Sequence, residues 1–197
     1  MKRILTGILF LAIMCTVVAS APVFAADTAE QASPATKFDD FAARKGSLLI
    51  KEVYPLGTVM GLYGGQINVE AIALSEPQRE TVFAVVLERP ATDKYGTDRR
   101  GTLDFDELTG VLQAMDYMLN TAPELKAAKK TYTEVIFQTK SGIEIGFMTE
   151  KGGDQTAFVQ VSSYGSGAMA FFAMKDLARV KDKLESAHAQ LVEMGAK

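Results

Sequence analysis

Four carboxylates, Asp104, Asp106, Glu107 and Asp116, form the densest group of side chains able to move protons or hold a cation. Paired carboxylates serve glycoside hydrolysis and metal binding alike. Their register points elsewhere. Asp104 and Glu107 stand three apart ahead of an apolar stripe, the spacing of a capping box at a helix start. Asp116 falls beside Met115, off the stripe. The segment 93–104 has the length of an EF-hand loop, but it places Tyr95 and Thr97 at chelating positions and Asp98 where a glycine is required. These acids therefore predict capping.

His188 is the single histidine. One imidazole cannot build a zinc site, and a serine triad needs an imidazole with partners. At about 100° per residue from Leu177 it falls within the apolar arc of a helix. That position predicts packing at a core edge or an interface. Ser162-Ser163-Tyr164-Gly165-Ser166 supplies hydroxyls without a base at readable spacing. Gly57, Gly61, Gly64 and Gly65 lack the following helix and the Lys-Ser/Thr of a phosphate loop, so they read as hairpin glycines. Met115, Met118, Met169, Met174 and Met194 are dispersed over apolar faces, as core filling requires and copper handling does not. No cofactor and no metal is expected.

One loop has the chemistry of recognition. Between Thr92 and Arg100 it carries Asp93, Tyr95, Asp98, Arg99 and Arg100, mixing both charges with an aromatic ring. Loops of this composition suit ligand or partner contact.

The chain begins Lys2-Arg3 followed by an apolar run from Ile4 to Ala21 and a small-residue exit, Val23-Phe24-Ala25. This is the pattern of a secretory signal, with the cut expected after Ala25 and a periplasmic or secreted product. Retention as a membrane anchor is the alternative, since about 20 apolar residues span a bilayer. Cys15 lies inside the run behind Met14, where a lipobox needs a small residue, and it leaves with the signal. Cleavage removes Lys2 and Arg3 and no acid, taking the formal charge from −3 to −5. Such acidity argues against nucleic acid as a partner. The product has no cysteine, so its core must come from apolar burial alone.

Residues 26–36 read as a flexible leader, and 37–195 as one domain of two halves, about 37–120 and 131–195. Thr36 caps a short helix over Lys37 to Lys45, whose Phe38 and Phe41 plug one end of the core. Strands follow, broken by a turn at Pro55-Leu56-Gly57 and a hairpin at Gly64-Gly65. Thr81–Leu87, apolar on both faces, predicts a covered central strand. A helix over 106–119 is stopped by Asn120 and Pro123, and Pro123–Thr131 reads as a solvated linker. Strands then recur, at Tyr132–Thr139, Ile143–Met148, Thr156–Val161 and Ala168–Ala173, before a closing helix at about Lys175 to Glu193.

The two helical stripes match at one offset of 69 residues: Leu108 with Leu177, Val111 with Val180, Met115 with Leu184, Met118 with Ala187. The expectation is an α+β fold in which an antiparallel strand-rich unit followed by a helix is duplicated. At the level of topology alone, tandem four-strand-plus-helix units resemble the PUR and Whirly-type folds, whose nucleic-acid motifs are not present here.

The leading functional expectation is an exported, non-enzymatic interaction domain that binds a protein partner or itself. Its interface candidates are Leu184, His188 and Leu191 on the closing helix, whose three-four seam resembles a pairing seam. The alternative is a small-ligand binder or hydrolase using the 92–100 loop and the 162–166 segment. A third is a polyanion binder built on Arg99, Arg100, Lys126, Lys129 and Lys130.

Overall fold

A computed structural model of the chain describes residues 36–92, 96–128, 130–163 and 167–197. The expected signal run, all but the last residue of the expected leader, residues 93–95, Lys129 and 164–166 lie outside the described residues.

The Thr36 hydroxyl accepts the backbone N–H of Asp39 at 2.9 Å and opens helix α1, Lys37–Ala42. Strand β1 (Ile50–Met60) turns through residues 61–65 into β2 (Gln66–Ser75), followed by β3 (Thr81–Arg89), β4 (Arg99–Asp104) and helix α2 (Phe105–Ala127). The second half repeats the order: β5 (Tyr132–Gln138), β6 (Glu144–Glu150), β7 (Gln155–Gln160), β8 (Met169–Phe172) and helix α3 (Met174–Glu193). Each half is a four-stranded antiparallel meander, β1-β2-β3-β4 and β5-β6-β7-β8, followed by its helix. The fold is the expected α+β architecture with two sheet-plus-helix halves.

The halves correspond in detail. The helices start 69 residues apart, at Phe105 and Met174, and all four residue pairs of the matched stripes are buried. The first hairpin of each half closes with the same bond, Gly61 N–H to Gly65 carbonyl at 2.8 Å and Thr139 N–H to Ile143 carbonyl at 2.9 Å.

The helices are exchanged between the sheets. α3 lies chiefly against β1 and β2 of the first sheet, whereas α2 meets β5 and β6 of the second besides its own β4, and the helices pack on each other. One continuous core results, joining Ile67, Val85 and Leu103 to Ile145, Phe147 and Phe172 through Met115 and Leu184. Glycine permits the sheets to close. A Cβ on Gly101 in β4 would stand 2.2 Å from the Val161 carbonyl oxygen, and one on Gly61 would stand 2.3 Å from that of Phe171. Each sheet's last strand is thus seated near the other sheet through a position where only hydrogen fits.

Several local expectations are corrected. Pro55-Leu56-Gly57 is no turn; β1 runs through it, with a bulge between Pro55 and Gly57 where the register with β2 shifts. β1 is an edge strand, so a missing N–H and one extra residue are tolerated there. Gly64-Gly65 is the end of a longer connection that holds a single 3₁₀ turn at Leu62–Gly64, with Tyr63 at φ 54°. Pro123 does not stop α2, which continues to Ala127 because Ala122 and Leu125 still reach the core. The expected linker thus begins as helix. α1 is also shorter than expected and caps no end of the main core. Its Phe38 and Phe41 cover the outer face of the first sheet, making a second small core with Ile72, Leu74, Ala84 and Val86. β3 is therefore covered on both faces, as its apolar run required.

Candidate functional site

The carboxylates of the 104–107 segment bind the fold together, by a route other than a capping box. Asp104 occupies the N-cap position of α2 but makes no cap bond there. Its buried carboxylate reaches across to α1 and accepts the N–H groups of Lys37 at 2.8 Å and Phe38 at 3.1 Å. With Thr36 taking the Asp39 N–H, all three orphan donors of the first turn of α1 are satisfied. Glu107 turns to the β5–β6 turn, accepting the Lys140 N–H at 2.8 Å. Asp106 pairs with Lys37 at 2.9 Å and with Lys140 at 3.5 Å.

The Lys37 hydrogen bond is the main force holding the Asp106 carboxyl below its ordinary range, and the same bond raises the Lys37 ammonium. Both groups are open to water, which screens the pair. The Asp106 contribution is present above the unfolded carboxylate pKa and is lost as pH falls through its depressed folded value. The Lys37 contribution is present below the ordinary lysine value and is lost as pH rises through the raised one. Anchoring of α1 by this pair is therefore flat through neutral pH. Asp104 carries more, because its bonds are buried. Asp104→Ala is expected to cost about 1–3 kcal/mol by orphaning two donors, read as a lower urea midpoint. An unchanged midpoint would mean that α1 contributes nothing to the fold.

Among the sequence-predicted site residues, the structure separates some and unites others. Arg100 and Arg99 are chain neighbours on β4 that point to opposite faces. Arg100 lies on the outer face, ion-paired to Glu88 of β3. That pair ends a polar ladder across all four strands: Thr58 donates to Asn68 at 2.7 Å and Asn68 to Glu88 at 3.1 Å. Arg99 faces inward with Gly101 and Leu103. Asp98 closes its own loop, its carboxylate accepting the Ala91 N–H at 2.9 Å.

Leu184 and Leu191 are fully enclosed within the single chain. Their seam faces the first sheet and α2, which leaves neither side chain any surface to offer a partner. The pairing-seam reading is replaced by core packing. His188, at the margin of that stripe, stacks on Phe105 with ring centroids 5.1 Å apart and planes inclined by 19°. It thus joins the C-terminal half of α3 to the first turn of α2.

What the structure does unite is Arg100 with Ser162. Both line a cleft of about 400 Å³ between the outer face of β4, α1 and the second half. Lys51, Asp39, Thr102 and Ser141 complete its polar lining over an apolar floor of Phe38, Val86 and Val161. Sequence reasoning missed Lys51, Asp39, Thr102 and Ser141. Strand alternation places Thr102 beside Arg100, but Lys51 and Asp39 arrive by tertiary folding alone.

Among the described residues no three of His, Cys, Asp and Glu gather as a metal site, and no helix is long and apolar enough to cross a membrane. No family model, curated protein or solved structure matches the chain.

Proposed function

We propose that the chain is an exported, non-enzymatic binding module whose small polar ligand seats in the cleft between its halves. The observation that carries this reading is the convergence there of Lys51, Arg100, Asp39 and three hydroxyls, drawn from separate stretches of chain. A volume of about 400 Å³ falls within the usual range of small-molecule sites, about 300–1,000 Å³. Binding is favoured over a histidine-activated hydrolysis because His188, the single imidazole, stacks on Phe105 and does not line this cleft. Export is supported by the Lys2-Arg3 pair, the apolar run and the Ala25 exit, which together give a mature chain beginning at Ala26.

The test is a thermal-shift screen of small polar metabolites on protein recovered from its host, with its N-terminus sequenced first. A true ligand raises the melting temperature with concentration, because it binds only the folded state. Lys51→Met and Thr102→Val should abolish that rise without lowering the unliganded melting temperature. A ligand whose effect survives both substitutions binds elsewhere, and an intact Met1 would replace export by anchoring.

A further inference from the structure

Arg89 and Arg99 stand directly opposite each other on β3 and β4. Both extend the inward-facing rows that contain Leu87 and Leu103, at the end of the sheet where the core stops. Each side chain is half-buried, and the Nε of each is sealed from solvent with no hydrogen-bond partner. Like charges placed directly across two strands repel, and a buried donor without an acceptor is costly.

The other described arginines are not treated this way. Arg44 holds Glu76 and Glu80, Arg79 holds Glu76, Arg100 holds Glu88 and Arg179 holds Asp176. Arg89 and Arg99 form no ion pair among the described residues, and they are the two that face each other. Arg89 makes one long bond, from Nη1 to the Pro90 carbonyl at 3.4 Å. The same Nη1 lies 3.7 Å from where a Cβ on Gly167 would stand, so the guanidinium reaches the β7–β8 connection at a position that leaves it room.

We propose that Arg89 and Arg99 form a receptor for a compact oxyanion, a carboxylate or a phosphate group, held between the two guanidinium groups. Each guanidinium offers a planar fork of donors that matches either oxyanion. The bound anion supplies the missing acceptors and cancels the repulsion between the arginines. This site is independent of the cleft, since Arg99 and Arg100 leave β4 on opposite faces, and failure of either reading leaves the other standing.

The test compares the full chain in inorganic phosphate, in citrate, and in sodium chloride of matched ionic strength. At about ten times its dissociation constant a bound anion should raise the melting temperature by roughly 3–5 °C over chloride. A response to phosphate alone identifies a phosphate site, and a response to citrate alone a carboxylate site. Arg99→Gln should abolish the response while leaving the anion-free melting temperature unchanged or higher, because it removes the repulsion. Arg100→Gln should do the reverse, lowering the melting temperature by removing the ion pair with Glu88 and keeping the response. Arg99→Lys retains the charge without the fork and should weaken binding at least about tenfold. The proposal is overturned if neither anion exceeds chloride, or if Arg99→Gln lowers stability and keeps the full response.

Discussion

Leu184→Ala is expected to lower the free energy of unfolding by about 2–5 kcal/mol, the range for removing a fully buried leucine and leaving a cavity. Leu184 has no exposed surface and sits at the middle of α3, in the core shared by the sheets and α2. The gap opened there has walls from several elements, so no one of them can collapse to fill it. Leu184→Asp should cost more, by burying a carboxylate without a partner. Urea titration followed by circular dichroism measures both. A Leu184→Ala protein that unfolds with its parent would mean that α3 is a loosely attached tail.

Gly101→Ala should also be strongly destabilising, although it adds only a methyl group. The new carbon would stand 2.2 Å from the Val161 carbonyl oxygen and 2.6 Å from Cγ1 of Ile143. The isoleucine can rotate, but the backbone carbonyl cannot move without shifting the end of β7. Relief requires the sheets to separate, so the loss should reach or exceed the usual overpacking cost of about 1–3 kcal/mol. Gly110→Ala supplies the contrast. Gly110 is exposed within α2, and its nearest neighbour to an added Cβ is Phe137 Cζ at 4.0 Å. That substitution should stabilise by about 0.5–1 kcal/mol through helix propensity. Opposite signs from one chemical change would locate the constraint at the sheet contact, whereas equal small effects would show that the sheets yield readily.

The architecture was legible wherever burial imposes a period. The stripe from Leu177 to Leu191 located α3 to within a residue, and its match to Leu108–Met118 exposed the two-part plan. Punctuation by proline and glycine misled at Pro55, Gly57 and Pro123. A proline forbids a hydrogen bond, but an edge strand or the last turns of a packed helix can lose one and continue. Asp104 and Glu107 misled for another reason. Their spacing satisfies a local motif, yet each found a stronger partner on a distant segment, which local spacing cannot reveal. The site was half-legible. The recognition loop contributed Arg100, but reading Arg99 and Arg100 as one patch ignored strand alternation, which divides them between two faces. Arg89 gave no signal, because a charged residue at a strand end is ordinary until its opposite neighbour is known.

The exchange of helices between sheets sets the order in which the molecule can be completed. Synthesis delivers β1 to β4 first, yet the helix that covers the inner face of β1 and β2 is the last element to emerge. β1 and β2 must wait, bare on their inner face, until about 90 further residues have followed the sheet. Contacts this distant in sequence slow folding and lengthen the interval in which apolar strands are open to misassociation. A premature stop that removes only α3 would therefore injure the opposite end of the gene product. The second sheet would keep α2 on β5 and β6, while β1 and β2 of the N-terminal sheet would lose their inner cover. Damage at the C-terminus would be felt first where the chain began.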